Sequence, residues 1–247
     1  RQALFSFRGD HLGGHEAKPH SRPYMAFVSF LVGKKRKRCD GVLVQEEFVL
    51  TAAHCKGSSV KVTLGAHNIK KPEKTQQVTF VTKAIAHPDY DCNTLFNDIM
   101  LLQLKREAKL TKAVQPLRLH ENMAGGKMSP LGTLASKLQE VELTVQDELK
   151  CKSVFRAFSY ITEICMGDPR KTKCSFKGDS GAPLVCNNMV QGIFSGGKEH
   201  GRPPGVFTKV LPLPALGKEY HEALLIAARR LASSGLTIFS EAEEGIL

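Results

Sequence analysis

Along the middle of the chain, short apolar and β-branched runs alternate with turn-forming residues. Residues 41–44, 48–51 and 61–64 carry enough apolar and β-branched side chains to form strands. Val78-Thr79-Phe80 alternates between faces, and Ile99-Met100-Leu101-Leu102 is a continuous apolar run suited to a strand covered on both sides. Val141, Leu143 and Val145 alternate with Glu142 and Thr144, and residues 184–186, 190–194 and 206–210 complete the series. Many short strands at roughly even spacing predict a sandwich or barrels. Residues 218–232 break the pattern: Leu224, Ala227, Ala228 and Leu231 recur at helical spacing among good helix formers. From residue 233 onward an acidic, weakly hydrophobic stretch predicts disorder. There is no internal repeat and no low-complexity tract.

A length of 247 residues allows one large or two modest cores. No apolar run approaches the ~18–20 residues of a bilayer-spanning helix, so no membrane span is expected. Residues 1–10 lack the apolar centre of a signal peptide. The formal net charge is +11, and Lys34, Lys35, Arg36, Lys37 and Arg38 form its densest cluster. Such a run is commonly a solvated loop. It also raises the local concentration of sulfated or phosphorylated polyanions, which makes a sulfated proteoglycan the partner class to test. Specific nucleic-acid binding is not expected, because no helix–turn–helix or zinc-finger spacing is present and the four tyrosines do not interleave with the basic run.

The seven cysteines are an odd number, so they cannot all pair with one another. Cys39 and Cys55 bracket a strand–turn–strand segment, Cys151 and Cys165 bracket a loop of similar size, and Cys92 and Cys174 have no obvious mates. The pattern fits an oxidising compartment better than the cytosol, and no spacing suggests zinc.

Three segments carry the chemistry: Thr51-Ala52-Ala53-His54-Cys55, Asn97-Asp98-Ile99-Met100-Leu101 and Gly178-Asp179-Ser180-Gly181-Ala182-Pro183. A serine hydroxyl stays protonated at neutral pH and is a poor nucleophile. An imidazole, with an unperturbed pKa of ~6.5, takes that proton during attack and returns it to a leaving amine. A buried carboxylate fixes the imidazole's tautomer and stabilises its cation. These needs assign Ser180 as nucleophile, His54 as general base and then acid, and Asp98 as the group that orients it. The other eight histidines, His87 before Pro88 among them, read as surface residues. The order His…Asp…Ser is that of the chymotrypsin-like proteases; subtilisins and α/β-hydrolases place the same groups in other orders.

The chain resembles the granzyme and mast-cell chymase branch of the trypsin-like serine proteases. Gly13-Gly14-His15-Glu16-Ala17 is similar to that branch's activated amino terminus, and Val62-Thr63-Leu64-Gly65-Ala66-His67-Asn68-Ile69 to its loop after the catalytic histidine. Phe176-Lys177-Gly178-Asp179-Ser180 and Pro203-Pro204-Gly205-Val206 are similar to it as well. The likeness covers about residues 12–210, with one internal gap. It implies an all-β fold of two six-stranded antiparallel β-barrels, chymotrypsin-like, with the triad in the cleft between them. The expected units are a propeptide-like or non-native leader (1–10), an N-terminal barrel (11–112), a C-terminal barrel (113–216) and an atypical tail, helical then disordered (217–247). After Leu119, residues 120–126 stand where relatives have a longer stretch containing a cysteine and a tryptophan. The second barrel is therefore expected to be partly deleted, missing most of a central strand.

The resemblance also implies roles. Cys39 pairs with Cys55 and Cys151 with Cys165, while the usual partner of Cys186 falls in the missing stretch; a Cys174–Cys186 bond is the lesser alternative. The backbone N–H groups of Gly178 and Ser180 form the oxyanion hole, where losing one donor typically costs ~2.7–4 kcal/mol. Ala182 stands where a glycine is usual, and a positive φ there would cost it on the order of 1 kcal/mol. His11 takes the place of the aliphatic residue whose new ammonium pairs with Asp179, so cleavage between Asp10 and His11 is the expected activation. Cys174 forms the floor of the specificity pocket and Gly197 and Gly205 its walls. A thiol gives a buried basic side chain no charged partner, so the slot suits Phe, Tyr, Leu or Met. The expectation is a secreted or cytotoxic-granule serine endopeptidase acting on proteins or peptides through an acyl-enzyme on Ser180, with no metal or organic cofactor. The alternative is a non-catalytic granule protein that binds polyanions or microbial surfaces; the altered activation terminus and the missing strand favour it, and the intact triad favours the enzyme.

Overall fold

The computed structural model describes residues 2–6, 15–119, 138–168, 179–198 and 203–210. Two short strands come first, β1 (Gln2–Ser6) and β2 (His15–Glu16), and both belong to the sheet of the chain's second half. Next come β3 (Met25–Val32), β4 (Lys35–Gln45), β5 (Phe48–Thr51), β6 (Ser58–Leu64), β7 (Gln77–Ala86) and β8 (Met100–Leu104). They close a six-stranded barrel in the order β3-β4-β5-β8-β7-β6. Alternate residues fill its interior: Met25, Leu43, Leu50, Leu64 and Leu101 are essentially inaccessible. Each such burial contributes on the order of 1.5–3 kcal/mol. The apolar run at β8 is covered on both faces, as its composition predicts.

The first four residues of β4 are all exposed and the last seven all buried. Val32 pairs with Lys35 across a two-residue turn of Gly33, at φ 58°, and Lys34. The basic cluster is therefore the tip of the β3–β4 hairpin rather than a loop, projecting beyond the barrel wall.

The second half contains β9 (Arg118–Leu119), β10 (Gln139–Glu142), helix α1 (Glu148–Val154), β11 (Glu163–Met166), β12 (Pro183–Cys186), β13 (Met189–Gly197) and β14 (Gly205–Lys209). Its strands form one sheet in the order β11-β14-β13-β12-β1-β10-β2, with β9 pairing parallel to β13. Just past β10, Val145 makes an isolated antiparallel bridge to Met166, Gln146 N–H donates to the Cys165 carbonyl and Gly167 N–H to that of Thr144. These contacts bring the β10 end of the sheet round to β11. Leu143, Met166, Leu184, Phe194 and Phe207 pack inside, the two phenylalanine rings edge to face at 5.1 Å. Asp147 caps α1 by accepting from Leu149 N–H at 2.9 Å, and the Cys151–Cys165 disulfide pins the helix to β11. The expected helical and disordered tail lies outside the described residues.

Candidate active site

His54 sits on a single 3-10 turn, Ala53–Cys55, directly after β5. Cys55 N–H donates to the Ala52 carbonyl at 3.1 Å, and the Cys39–Cys55 disulfide ties the turn to β4. The imidazole thus rises from a covalently braced turn with 28% of its side chain exposed.

Asp98, fully buried, precedes β8. Its placement depends on Asn97, which has φ 54°. Asparagine tolerates this left-handed conformation better than most side chains. Asn97 is held there by its Nδ2 donating to the Asp89 carbonyl at 3.0 Å and by its own carbonyl accepting from Ile99 N–H at 2.7 Å. The resulting kink aims the Asp98 carboxylate at His54. Oδ1 accepts the His54 backbone N–H at 2.8 Å, and Oδ2 lies 2.6 Å from Nδ1. A carboxylate can only accept, so Nδ1 carries a proton, and in the neutral ring this tautomer leaves the lone pair on Nε2. Gripping backbone and ring together leaves the imidazole one orientation.

Ser180 is half-buried in the turn before β12, and its carbonyl accepts from Asp40 N–H at 2.8 Å. Gly181, next to it, has φ +83°, and a Cβ there would lie 2.2 Å from both the Asp40 carbonyl oxygen and Thr51 Oγ1. Only glycine fits. Thr51 Oγ1 itself donates to the Asp40 carbonyl at 2.7 Å. The serine turn is therefore nested against β4 and β5, the strands that lead to His54. Positive φ falls on Gly181 and not on Ala182, so the conditional strain at the alanine does not arise. Ala182 is buried, its N–H donating to the Asp179 carbonyl at 2.8 Å and its carbonyl accepting from Phe194 N–H at 2.9 Å. Asp179 is buried beside it. His11, Cys174 and Gly178 lie outside the described residues.

Gly197 and Gly205 are paired across β13 and β14. A Cβ on Gly197 would meet Gly205 Cα at 3.7 Å and the Pro204 carbonyl oxygen at 3.8 Å, so the strand ends face each other without side chains. Beside them opens a cavity of ≈ 360 Å³, lined by Leu95, Phe155, Phe158, Glu163, Gly196 and Val206 among others. It is mostly apolar. Glu163 is the one carboxyl among its described lining residues, with burial pushing the pKa up to about 7 against a 2.8 Å hydrogen bond from Ser159 N–H, and the Asp98 charge adding to the rise. No motif marks Leu95, Phe155, Phe158 or Glu163, because they come from two distant stretches, around 95 and 155–163, that meet only in the fold.

Two histidines read as surface residues are in fact buried. His67 Nε2 pairs with Glu16 Oε1 at 2.7 Å, and His87 Nδ1 accepts from Asp89 N–H at 3.1 Å while burial depresses its pKa. The loops that carry them fold down onto the first barrel. Cys39, His54 and Cys55 place potential ligand atoms within 4.8 Å of one another, but both sulfurs are consumed in a disulfide and offer no thiolate to a metal.

The trypsin family model matches residues 11–214. Human granzyme H is 57% identical over 211 residues, covering 81% of this chain and 86% of its own length. Human granzyme B is 54% identical, covering 82% and 87%, and sheep mast cell protease 3 is 52% identical, covering 82% and 85%. The solved structure of GrC superimposes with a TM-score of 0.75 at 45% identity, covering 89% of this chain and 98% of that one.

Proposed function

From the premise that this chain belongs to the trypsin family of serine proteases, we propose that it hydrolyses peptide bonds through an acyl-enzyme on Ser180, after large apolar residues. The observation that carries the reading is the double hold of Asp98 on His54, by backbone N–H and by ring. With Nδ1 committed to Asp98, Nε2 takes the Ser180 proton as Oγ attacks the scissile carbonyl. The imidazolium that forms is stabilised by the buried carboxylate and then protonates the leaving amine. Water repeats the sequence to release the acyl group. The backbone N–H groups of Gly178 and Ser180 receive the oxyanion. Cutting between Asp10 and His11 frees an ammonium for Asp179 and orders that hole.

The facing glycines 197 and 205, the apolar cavity beside them and a thiol at Cys174 support a preference for Phe, Tyr, Leu or Met. The +11 charge and the exposed Lys34–Arg38 tip support retention on sulfated polyanions, in keeping with a secretory-granule setting. A fluorophosphonate probe on the chain cut at Asp10–His11, with both pieces kept, tests the chemistry. Labelling should occur and vanish in Ser180→Ala. Peptides with Phe, Leu, Asp or Lys before the scissile bond should be cut fastest after Phe or Leu; a preference for Lys would overturn the pocket reading. Absence of any labelling would favour the polyanion-binding, non-catalytic alternative.

A further inference from the structure

We propose that Gln2–Ser6 is a permanent structural strand of the second barrel, filling a slot between β10 and β12, and that it stays there after the chain is cut between Asp10 and His11. The strand has partners on both sides. Ala3, Leu4, Phe5 and Ser6 pair antiparallel with Glu142, Val141, Glu140 and Gln139, while Gln2, Ala3 and Leu4 pair antiparallel with Cys186, Val185 and Leu184. Without it, β12 and β10 would each expose an unpaired row of N–H and C=O groups, and the sheet would split between β11-β14-β13-β12 and β10-β2. With it, and with the contacts of residues 144–146 to β11, six strands run round a ring: β11, β14, β13, β12, β1 and β10.

Two further observations point to the same occupant. The family model begins at residue 11, so β1 lies outside the matched region, yet the ring has a place for it. That place answers the central strand expected to be missing after Leu119. Reach also favours the chain's own segment over one from a second copy. β1 and β2 flank β10 on opposite sides, with Ser6 level with Gln139 and His15 level with Glu140. The ends to be joined are therefore about two strand spacings apart, ~10 Å, and the eight residues between them can span roughly 30 Å. In this arrangement the activation cut does not discard a leader. It converts a one-piece ring of strands into a two-piece one whose short strand stays paired with β10 and β12.

Hydrogen exchange on the uncut chain is the first test. The amides of residues 3–5 should exchange within about tenfold of those at 140–141 and 184–185; exchange at free-peptide rates would overturn the proposal. Next, a site-specific protease sequence is inserted between Gly9 and Asp10, and the chain is cut and passed through gel filtration under native conditions. Denaturing mass spectrometry should find the short fragment at one per body, in a fraction of monomer size. In the Leu4→Pro variant, whose residue 4 cannot donate from the centre of a sheet, the fragment should separate and the midpoint of thermal unfolding should fall. Loss of the wild-type fragment from a body with unchanged melting would overturn the idea, as would retention only in a dimeric fraction. None of these readouts uses proteolytic activity, so they stand or fall apart from the functional reading.

Discussion

At the scale of single residues, the candidate site depends on two backbone conformations as much as on the three groups proposed to react. Gly181→Ala should cost ~1–2 kcal/mol from the positive φ alone, and the clash with Asp40 and Thr51 adds to it. Thermal unfolding should shift down by at least several degrees, and probe labelling should collapse; Ala182→Gly, free of that constraint, should do neither. Asp98→Asn keeps the shape but invites the wrong tautomer, and a fall of about 10⁴-fold in kcat is expected from steady-state kinetics. Glu163 gives a pH signature. Its carboxyl is raised from 4.5 to about 7, so between those values the folded chain holds a proton that the unfolded chain has lost. Its contribution is complete below pH 4.5 and is lost as pH rises through about 7, a trend that Glu163→Gln should flatten in melting curves recorded from pH 4 to 8. His87 acts in the opposite sense: its depressed pKa favours folding above pH 6.5 and works against it as the pH falls. The proposed trio stands in recognisable motifs because such chemistry restricts the residue types, and the structure brings two of the three, His54 and Asp98, into contact. Asn97 as a kink and Phe155 and Phe158 as cavity wall do not, because no local pattern records which distant segments meet.

At the scale of elements, periodicity located most strands, including β5, β6, β8, β12, β13 and β14. It does not mark β1, which lies within the stretch 1–10, or β3, where little alternation separates MAFVSFLV into faces. It also missed α1, a seven-residue helix too short to show a moment and held by its cap and disulfide instead. Five successive charges cannot be buried, which predicts a loop for the basic cluster; an exposed hairpin tip satisfies that rule equally well. Replacing Lys34, Lys35, Arg36, Lys37 and Arg38 with serine should lower the salt needed to elute the protein from heparin, with small-peptide hydrolysis nearly unchanged. An unmoved elution position would leave the tip merely solvated. Cys151→Ser with Cys165→Ser opens a loop of sequence separation 14, and ~3 kcal/mol should be lost. Because α1 leads into Phe155, KM for apolar peptides should rise more than kcat falls.

At the scale of the whole molecule, His54 and Asp98 belong to the closed barrel, while Ser180 belongs to the half-barrel sheet of the second half and is keyed to the first through Gly181. Neither half holds the three residues alone. The pairing of β1 carries a consequence for how such a molecule comes into being. Leu4 finds its neighbours about 140 and about 180 positions downstream, among the most distant pairings a chain of this size can make, and such contacts form late. The first barrel draws on residues 25–104 and can close while Gln2–Ser6 still has nothing to pair with. During that interval an apolar strand dangles from a finished barrel, open to capture by neighbouring chains. Pulse-labelled refolding should show amides of β3 to β8 protected early and those of residues 3–5 last, in step with β12, and the yield of monomer should fall as protein concentration rises.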